Sequence, residues 1–189
     1  MTTPTRKALL LDRDGVINVN HGYVHRQEDC DFVDGIFDLC KEAQRKSYAI
    51  IIVTNQSGIA RKYYDEATFQ SFTHWIESMF SKQGIRVQHT YHCPHHPKFS
   101  QPCTCRKPRP GMITKATRDF KLRLADSILV GDSSSDVAVA RTAGVGKAVL
   151  FKDPNVHSAH RSRIFPELYL EKSKRFYKTR SLSSVTRLL

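Results

Sequence analysis

Three polar pairs and one lysine have the residue types needed to act on a phosphate ester. Asp12 and Asp14 are two residues apart, Thr54 and Asn55 are adjacent, Asp132 follows Gly131, and Lys107 lies between the last two clusters. A carboxylate such as Asp12 can attack phosphorus and hold the phosphoryl group as an acyl phosphate. In an extended segment Asp14 shares a side with Asp12. It can protonate the leaving oxygen and then deprotonate the water that ends the cycle. Thr54 can donate its hydroxyl and the amides that follow to phosphoryl oxygens, and Lys107 can hold the group and steady the nucleophile. Two carboxylates repel a phosphate, so the chemistry needs a hard cation. Asp12, Asp132 and a backbone carbonyl suit Mg²⁺, which prefers oxygen ligands. Each cluster alone is an ordinary turn. Their order, and their placement directly after strands, sets them apart.

The elements that must carry these clusters are legible as apolar runs. Lys7–Leu11 and Tyr48–Val53 read as buried strands. Val87–Tyr91, Ser127–Val130, Lys147–Phe151 and Phe176–Thr179 read as further strands. Helices are expected over Ile36–Lys46, from the Asp65 cap to Gly84, over Gly111–Lys121, over Ser135–Ala143 and from Leu182. In the second helix Phe69, Phe72, Trp75, Ile76, Met79 and Phe80 fall on one face, which assigns them to the core. Strands alternating with helices predict an α/β fold with a mostly parallel sheet. Ligands of such sheets bind beyond the carboxyl ends of the strands, where strand order reverses. Asp12, Thr54 and Asp132 would meet there.

A chain of 189 residues suits one domain, expected over 1–189. No apolar run approaches the roughly 20 residues that span a bilayer. Ala8–Leu11 is too short for a signal-peptide core, so a cytoplasmic location is expected and no membrane partner. The net charge of +12 favours anionic partners. It is spread out, with some clustering from Arg161 to Arg187, and no interleaved basic and aromatic stripe appears. A basic surface in water explains it as well as nucleic acid does.

Five cysteines, an odd number, argue against a disulfide framework. Cys93, Cys103 and Cys105 share one short stretch with His95 and His96. Three thiolates and one imidazole match tetrahedral structural Zn²⁺, and the residues alone leave both histidines open as the fourth ligand. Such a metal would pin the loop that presents Arg106 and Lys107. Cys40 reads as core and Cys30 has no partner in view. His25, His74, His89, His157 and His160 read as structural or solvated.

Taken together, Asp12-Arg13-Asp14-Gly15-Val16-Ile17, Thr54-Asn55-Gln56-Ser57-Gly58, Lys107 and Gly131-Asp132 resemble the four ordered motifs of haloacid-dehalogenase (HAD)-type phosphatases. The stretches NVNHGYVH from Asn18, VTNQSGIAR from Val53, and CPHH with CTCRKPRP from Cys93 to Pro110 resemble the heptose-1,7-bisphosphate 7-phosphatases. The likeness covers about residues 7–155. It implies a three-layer Rossmann-like fold with a minimal cap and a zinc-binding loop at about 92–110. It also implies Asp12 as nucleophile, Asp14 as general acid/base, and Asp12, the Asp14 carbonyl and Asp132 as Mg²⁺ ligands. Thr54, Asn55 and Lys107 would bind the phosphoryl group. Asn20, His21, Gly22, Tyr23 and Arg106 would contact the rest of a small sugar phosphate, joined by Gln56, Ser57 and Ser133. The likeness selects His95 over His96 as the zinc ligand. It implies removal of the 7-phosphate by an enzyme that is expected to be a monomer. The family commonly has Asp where this chain has Asn20 and Lys where it has Ser133; neither change touches the chemistry, but both bear on the substrate. Asp136 is expected to brace or start a helix rather than bind the metal. The alternatives are a phosphatase of the same fold acting on histidinol phosphate or another small phosphate ester, and a nucleic-acid-binding or nucleic-acid end-phosphatase module, the latter motivated only by charge.

Overall fold

The computed structural model describes residues 6–154, 168–170 and 175–189. His157, His160 and the basic residues Arg161, Arg163, Lys172 and Lys174 lie outside the described residues. Among the described residues seven strands form one sheet in the order β3-β2-β1-β4-β5-β7-β6. They are β1 (Ala8–Leu11), β2 (Ala49–Asn55), β3 (Val87–Cys93), β4 (Ile128–Gly131), β5 (Lys147–Phe151), β6 (Leu168–Leu170) and β7 (Phe176–Thr179). All pairings are parallel except β6 against β7. β6 has only three residues, too short a run for the sequence to predict it.

Helices α1 (Ile36–Arg45), α2 (Glu66–Lys82), α3 (Gly111–Phe120), α4 (Ser134–Ala143) and α5 (Leu182–Val185) cover the sheet. The strands sort their side chains by alternation. Leu9, Leu11, Ile50, Ile52, Ile128 and Val130 pack with residues of α1, α2 and α5 in one core layer. Ala8, Leu10, Ile51, Val53 and Leu129 pack with residues of α3 and α4 in the other. Strands buried on both faces have to be apolar throughout, which is why β1, β2 and β4 read as continuous apolar runs. This is the expected three-layer arrangement. Among the described residues no helix is long and apolar enough to cross a membrane.

Local chemistry fixes the helix ends. Asp65 caps α2 by accepting from the Thr68 N–H at 2.8 Å. The cap at α4 is a reciprocal box, with Asp136 reaching back to Ser133. Gly144 ends α4 at φ 77°, a conformation that costs a glycine little. Of the expected core face of α2, Phe69, Phe72, Ile76 and Phe80 are buried, while Trp75 and Met79 are half-buried. Phe80 is fully buried and meets Phe37 and Phe32 with ring centroids 5.1 and 6.3 Å away.

The chain runs from β1 outward to β2 and β3, then returns across to β4 on the other side of β1. Strand order therefore reverses between β1 and β4, the position that makes a crevice at the strand ends. Phe80→Ala should lower the unfolding free energy by about 3–5 kcal/mol, the usual cost of emptying a buried aromatic site. Urea denaturation would measure it, and a loss under about 1 kcal/mol would mean the layer between α1 and α2 is loosely packed.

Candidate active site

Asp12 is the first residue beyond β1 and is 8% exposed. Its backbone N–H still bonds the Val130 carbonyl of β4 at 2.9 Å, so the sheet itself sets its position. Its Oδ1 accepts from the Arg13 N–H at 2.8 Å, and its Oδ2 lies 2.8 Å from the Lys107 ammonium. Lys107 is 3% exposed. Its Nζ also lies 2.6 Å from Asp136 Oδ1 and donates to the Val53 carbonyl at 2.9 Å. Asn55 clamps the lysine backbone from both ends of its amide: Oδ1 accepts from the Lys107 N–H at 3.0 Å and Nδ2 donates to the Lys107 carbonyl at 3.3 Å.

Asp14 is turned toward a ring of donors. The Arg13 guanidinium reaches both carboxylate oxygens at 2.8 and 2.9 Å, Asn18 donates at 3.1 Å, and Gln56 donates at 2.9 Å. Arg13 is itself 1% exposed, donates to the Val24 carbonyl at 2.7 Å, and lies 5.2 Å from the Phe72 ring centre. Gly15 follows at φ 81°, and a Cβ there would fall 2.3 Å from Asp132 Oδ2. Only glycine lets the β1 loop pass so close to the carboxylate at the end of β4.

Asp12, Asp132 and Asp136 bring carboxylate oxygens within 4.8 Å of one another. Burial raises the Asp12 carboxyl from 3.8 to about 7, with Asp136 and Asp132 adding to the shift and Lys107 opposing it. Asp132 is also raised, by burial and then by Asp136. Burial would favour deprotonation of Lys107, but Asp12 and Asp136 outweigh it and hold the ammonium above its usual range. An oxygen-only donor set with more carboxylate than ammonium fits a hard divalent cation. Asp136 already engages Lys107 with Oδ1 and the Ser133 N–H with Oδ2 at 3.1 Å, so it serves as a brace at the helix start.

A cavity of about 330 Å³ opens over this cluster. Its walls include Asp12, Asp14, Thr54, Lys107 and Asp132, together with Asn20, Gly22, Tyr23, Asn55, Gln56, Ser57 and Ser133. Nearly all the site residues expected from sequence are thus brought together. Two are not in the wall. His21 pairs with Asp31 at 2.9 Å with half its side chain exposed, and Arg106 donates to the His95 carbonyl at 3.0 Å. Tyr64 and Ser135 also line the cavity, and neither is expected from sequence. Ser135, next to Ser133 at the start of α4, could have been read as a wall residue. Tyr64 carries no local signal.

Beside the cavity, Cys93, His95, Cys103 and Cys105 converge, with ligand atoms within 4.8 Å of one another. The Cys105 and Cys103 sulfurs lie 3.0 and 3.7 Å from Cys93 Sγ, and His95 Nδ1 is 3.4 Å from Cys105 Sγ. A tetrahedron of Zn–S bonds would have edges of about 3.8 Å, so the four groups fit a closed zinc site. His96 turns away to accept from Arg61 at 2.9 Å.

The fold and this cluster are those of a HAD-type phosphatase. The family model described as polynucleotide kinase 3 phosphatase matches residues 10–160. The chain is 42% identical over 152 residues to the D-glycero-beta-D-manno-heptose-1,7-bisphosphate 7-phosphatase of Vibrio cholerae, covering 78% of this chain and 82% of the relative. The crystal structure of the B. bronchiseptica D,D-heptose 1,7-bisphosphate phosphatase complexed with magnesium and phosphate aligns at 32% identity with TM-score 0.71, covering 77% and 80% of the two chains. A HAD-like phosphatase of Mesorhizobium loti aligns at 26% identity with TM-score 0.82, over 98% of this chain and 87% of that one. The chain belongs to the D-glycero-D-manno-heptose-1,7-bisphosphate 7-phosphatase family, within the HAD superfamily.

The raised Asp12 carboxyl has a consequence for stability. Between about pH 4 and 7 the folded, metal-free protein keeps a proton that the unfolded chain has released, so stability falls as pH rises through that window. Asp12→Asn removes the titration. The melting temperature of the metal-free variant relative to wild type should therefore be higher at pH 8 than at pH 4. Calorimetry at both pH values would check it, and a difference independent of pH would count against a strained Asp12.

Proposed function

We propose that the chain hydrolyses the 7-phosphate of D-glycero-D-manno-heptose 1,7-bisphosphate, leaving heptose 1-phosphate and inorganic phosphate. The observation that carries this reading is Asp12 at the β1 end, paired to a buried lysine and facing a cavity of sugar-phosphate size. The family of its relatives supplies the substrate. An Asp12 carboxylate oxygen bonds to phosphorus as the ester P–O bond breaks, and the leaving oxygen takes its proton from Asp14. Water then attacks the acyl phosphate, gives its proton to Asp14, and Asp12 is released. Thr54 and Lys107 hold the phosphoryl oxygens while Asn55 fixes Lys107 in place. Asp12, Asp132 and the Asp14 carbonyl would hold Mg²⁺, which when bound would neutralise charge at the transferring group. Asn20, Gly22, Tyr23, Gln56, Ser57 and Ser133 border the sugar, with His21 and Arg106 reaching it from outside the cavity wall.

In this reading Zn²⁺ sits on Cys93, His95, Cys103 and Cys105 and anchors the loop that carries Arg106 and Lys107. The enzyme is a cytoplasmic monomer built as one domain. A second reading, a phosphatase of nucleic-acid ends, draws on the matching family description and on the +12 charge.

At saturating Mg²⁺ the specificity constant for the heptose bisphosphate should exceed those for histidinol phosphate and a 3′-phosphorylated oligonucleotide by at least about tenfold. A higher value for either competitor would replace the reading. Asp12→Asn should lower kcat by at least about 10³-fold with the fold retained; substantial residual turnover would remove Asp12 as nucleophile. Elemental analysis should find one zinc per chain, and stripping it should lower the melting temperature. Zinc-free protein that melts unchanged would end the structural-zinc assignment.

A further inference from the structure

Tyr64 takes no part in the proposed phosphoryl chemistry, yet it lines the cavity and is only 7% exposed. Its hydroxyl donates to Gln56 Oε1 at 2.6 Å. The other end of that amide is fully used. Gln56 Nε2 donates to Thr54 Oγ1 at 2.8 Å and to Asp14 Oδ2 at 2.9 Å. An ionised carboxylate only accepts hydrogen bonds, so Asp14 requires the nitrogen end of the amide. The oxygen end then needs a donor, and Tyr64 supplies it.

This order has a further effect on Thr54. Its oxygen accepts from Gln56, which leaves its own hydrogen available to a phosphoryl oxygen in the cavity. The tyrosine ring is itself held in place. It stacks on His25 with centroids 4.8 Å apart, and a Cβ at residue 58 would fall 2.3 Å from a ring carbon. Gly58 makes the room that lets the hydroxyl reach Gln56.

We infer that Tyr64 is a positioning residue: through the Gln56 amide it orients both the Thr54 hydroxyl and the Asp14 carboxyl for ester cleavage. The inference rests on the roles proposed above for those two residues. Removing the hydroxyl leaves a buried carbonyl oxygen without a partner and frees the amide to turn. Asp14 then loses part of its alignment to the leaving oxygen.

Tyr64→Phe keeps the ring, its stacking and its packing on Gly58, so the fold is expected to survive, with a melting temperature close to wild type. Single-turnover rates isolate ester cleavage from the later water step. Cleavage of the sugar phosphate should slow about 5- to 20-fold, with KM in steady state changed by less than about twofold. The leaving group of p-nitrophenyl phosphate needs little protonation, so cleavage of that ester should slow several-fold less. Gln56→Ala should slow sugar-phosphate cleavage at least as much as Tyr64→Phe does. The double variant should be no slower than Gln56→Ala alone, as expected of residues acting in series. A Tyr64→Phe enzyme with the wild-type rate, equal losses on both esters, or multiplying effects would each overturn the inference. If Asp12→Asn is inactive and Tyr64→Phe unimpaired, only this inference fails. Turnover by Asp12→Asn would remove the proposed mechanism and this inference with it.

Discussion

An ammonium group withdrawn from water has to be surrounded by anions and acceptors, and Lys107 meets that demand with Asp12, Asp136 and the Val53 carbonyl. Buried ion pairs contribute little net stability, because desolvation offsets most of the attraction. The gain here lies in position. Lys107 ties the loop before α3 to the ends of β1 and β2 and to the start of α4, so four separate segments converge on one nitrogen. The stability that carries this arrangement comes from the two apolar layers on either side of the sheet.

Three carboxylates share that neighbourhood with a single buried lysine, and the imbalance organises the rest. It raises the Asp12 and Asp132 carboxyls and leaves a deficit of positive charge that a divalent cation relieves. Without its cation the site is therefore strained electrostatically, as expected of a pocket shaped for a reaction rather than for stability. The Asn55 clamp matters for the same reason. A lysine among excess carboxylates could pair in several ways, and fixing its backbone from both sides leaves one.

What is legible in the sequence follows from burial and alternation. β1, β2 and β4 lie under helices on both faces, so they have to be apolar, and the polar residues that end them stand out. Asp12, Thr54 and Asp132 can be read as one site because the doubly wound topology brings strand ends to one edge. The division of labour among Thr54, Asn55 and Gln56 follows from the same alternation, although only the structure brought it out. Thr54 and Gln56 share a side and bond each other, while Asn55 faces Lys107. Tyr64 was out of reach because its role depends on a tertiary contact across Gly58, which no local pattern encodes. His21 and Arg106 were placed by likeness, and their local partners, Asp31 and the His95 carbonyl, belong to loop geometry that spacing does not carry. β6 pairs only at the sheet edge, where three residues make too short a pattern to read.

The two departures from the family pattern make sense as a pair. Asn20 and Ser133 stand on the rim of the same cavity, and both are neutral where the resemblance implies a charged Asp and Lys. Asn20 accepts from the Gly22 N–H at 3.1 Å through Oδ1, and its side-chain amide opposes the upward shift of the Asp132 carboxyl. An aspartate could make the same contact with Gly22, but once ionised it would add a further charge beside the raised Asp132 carboxyl. A neutral amide avoids that charge. Ser133 in turn joins the capping box of α4, whose other half is the Asp136 that braces Lys107. Each replacement is thus tied back to the charge balance around one buried ammonium.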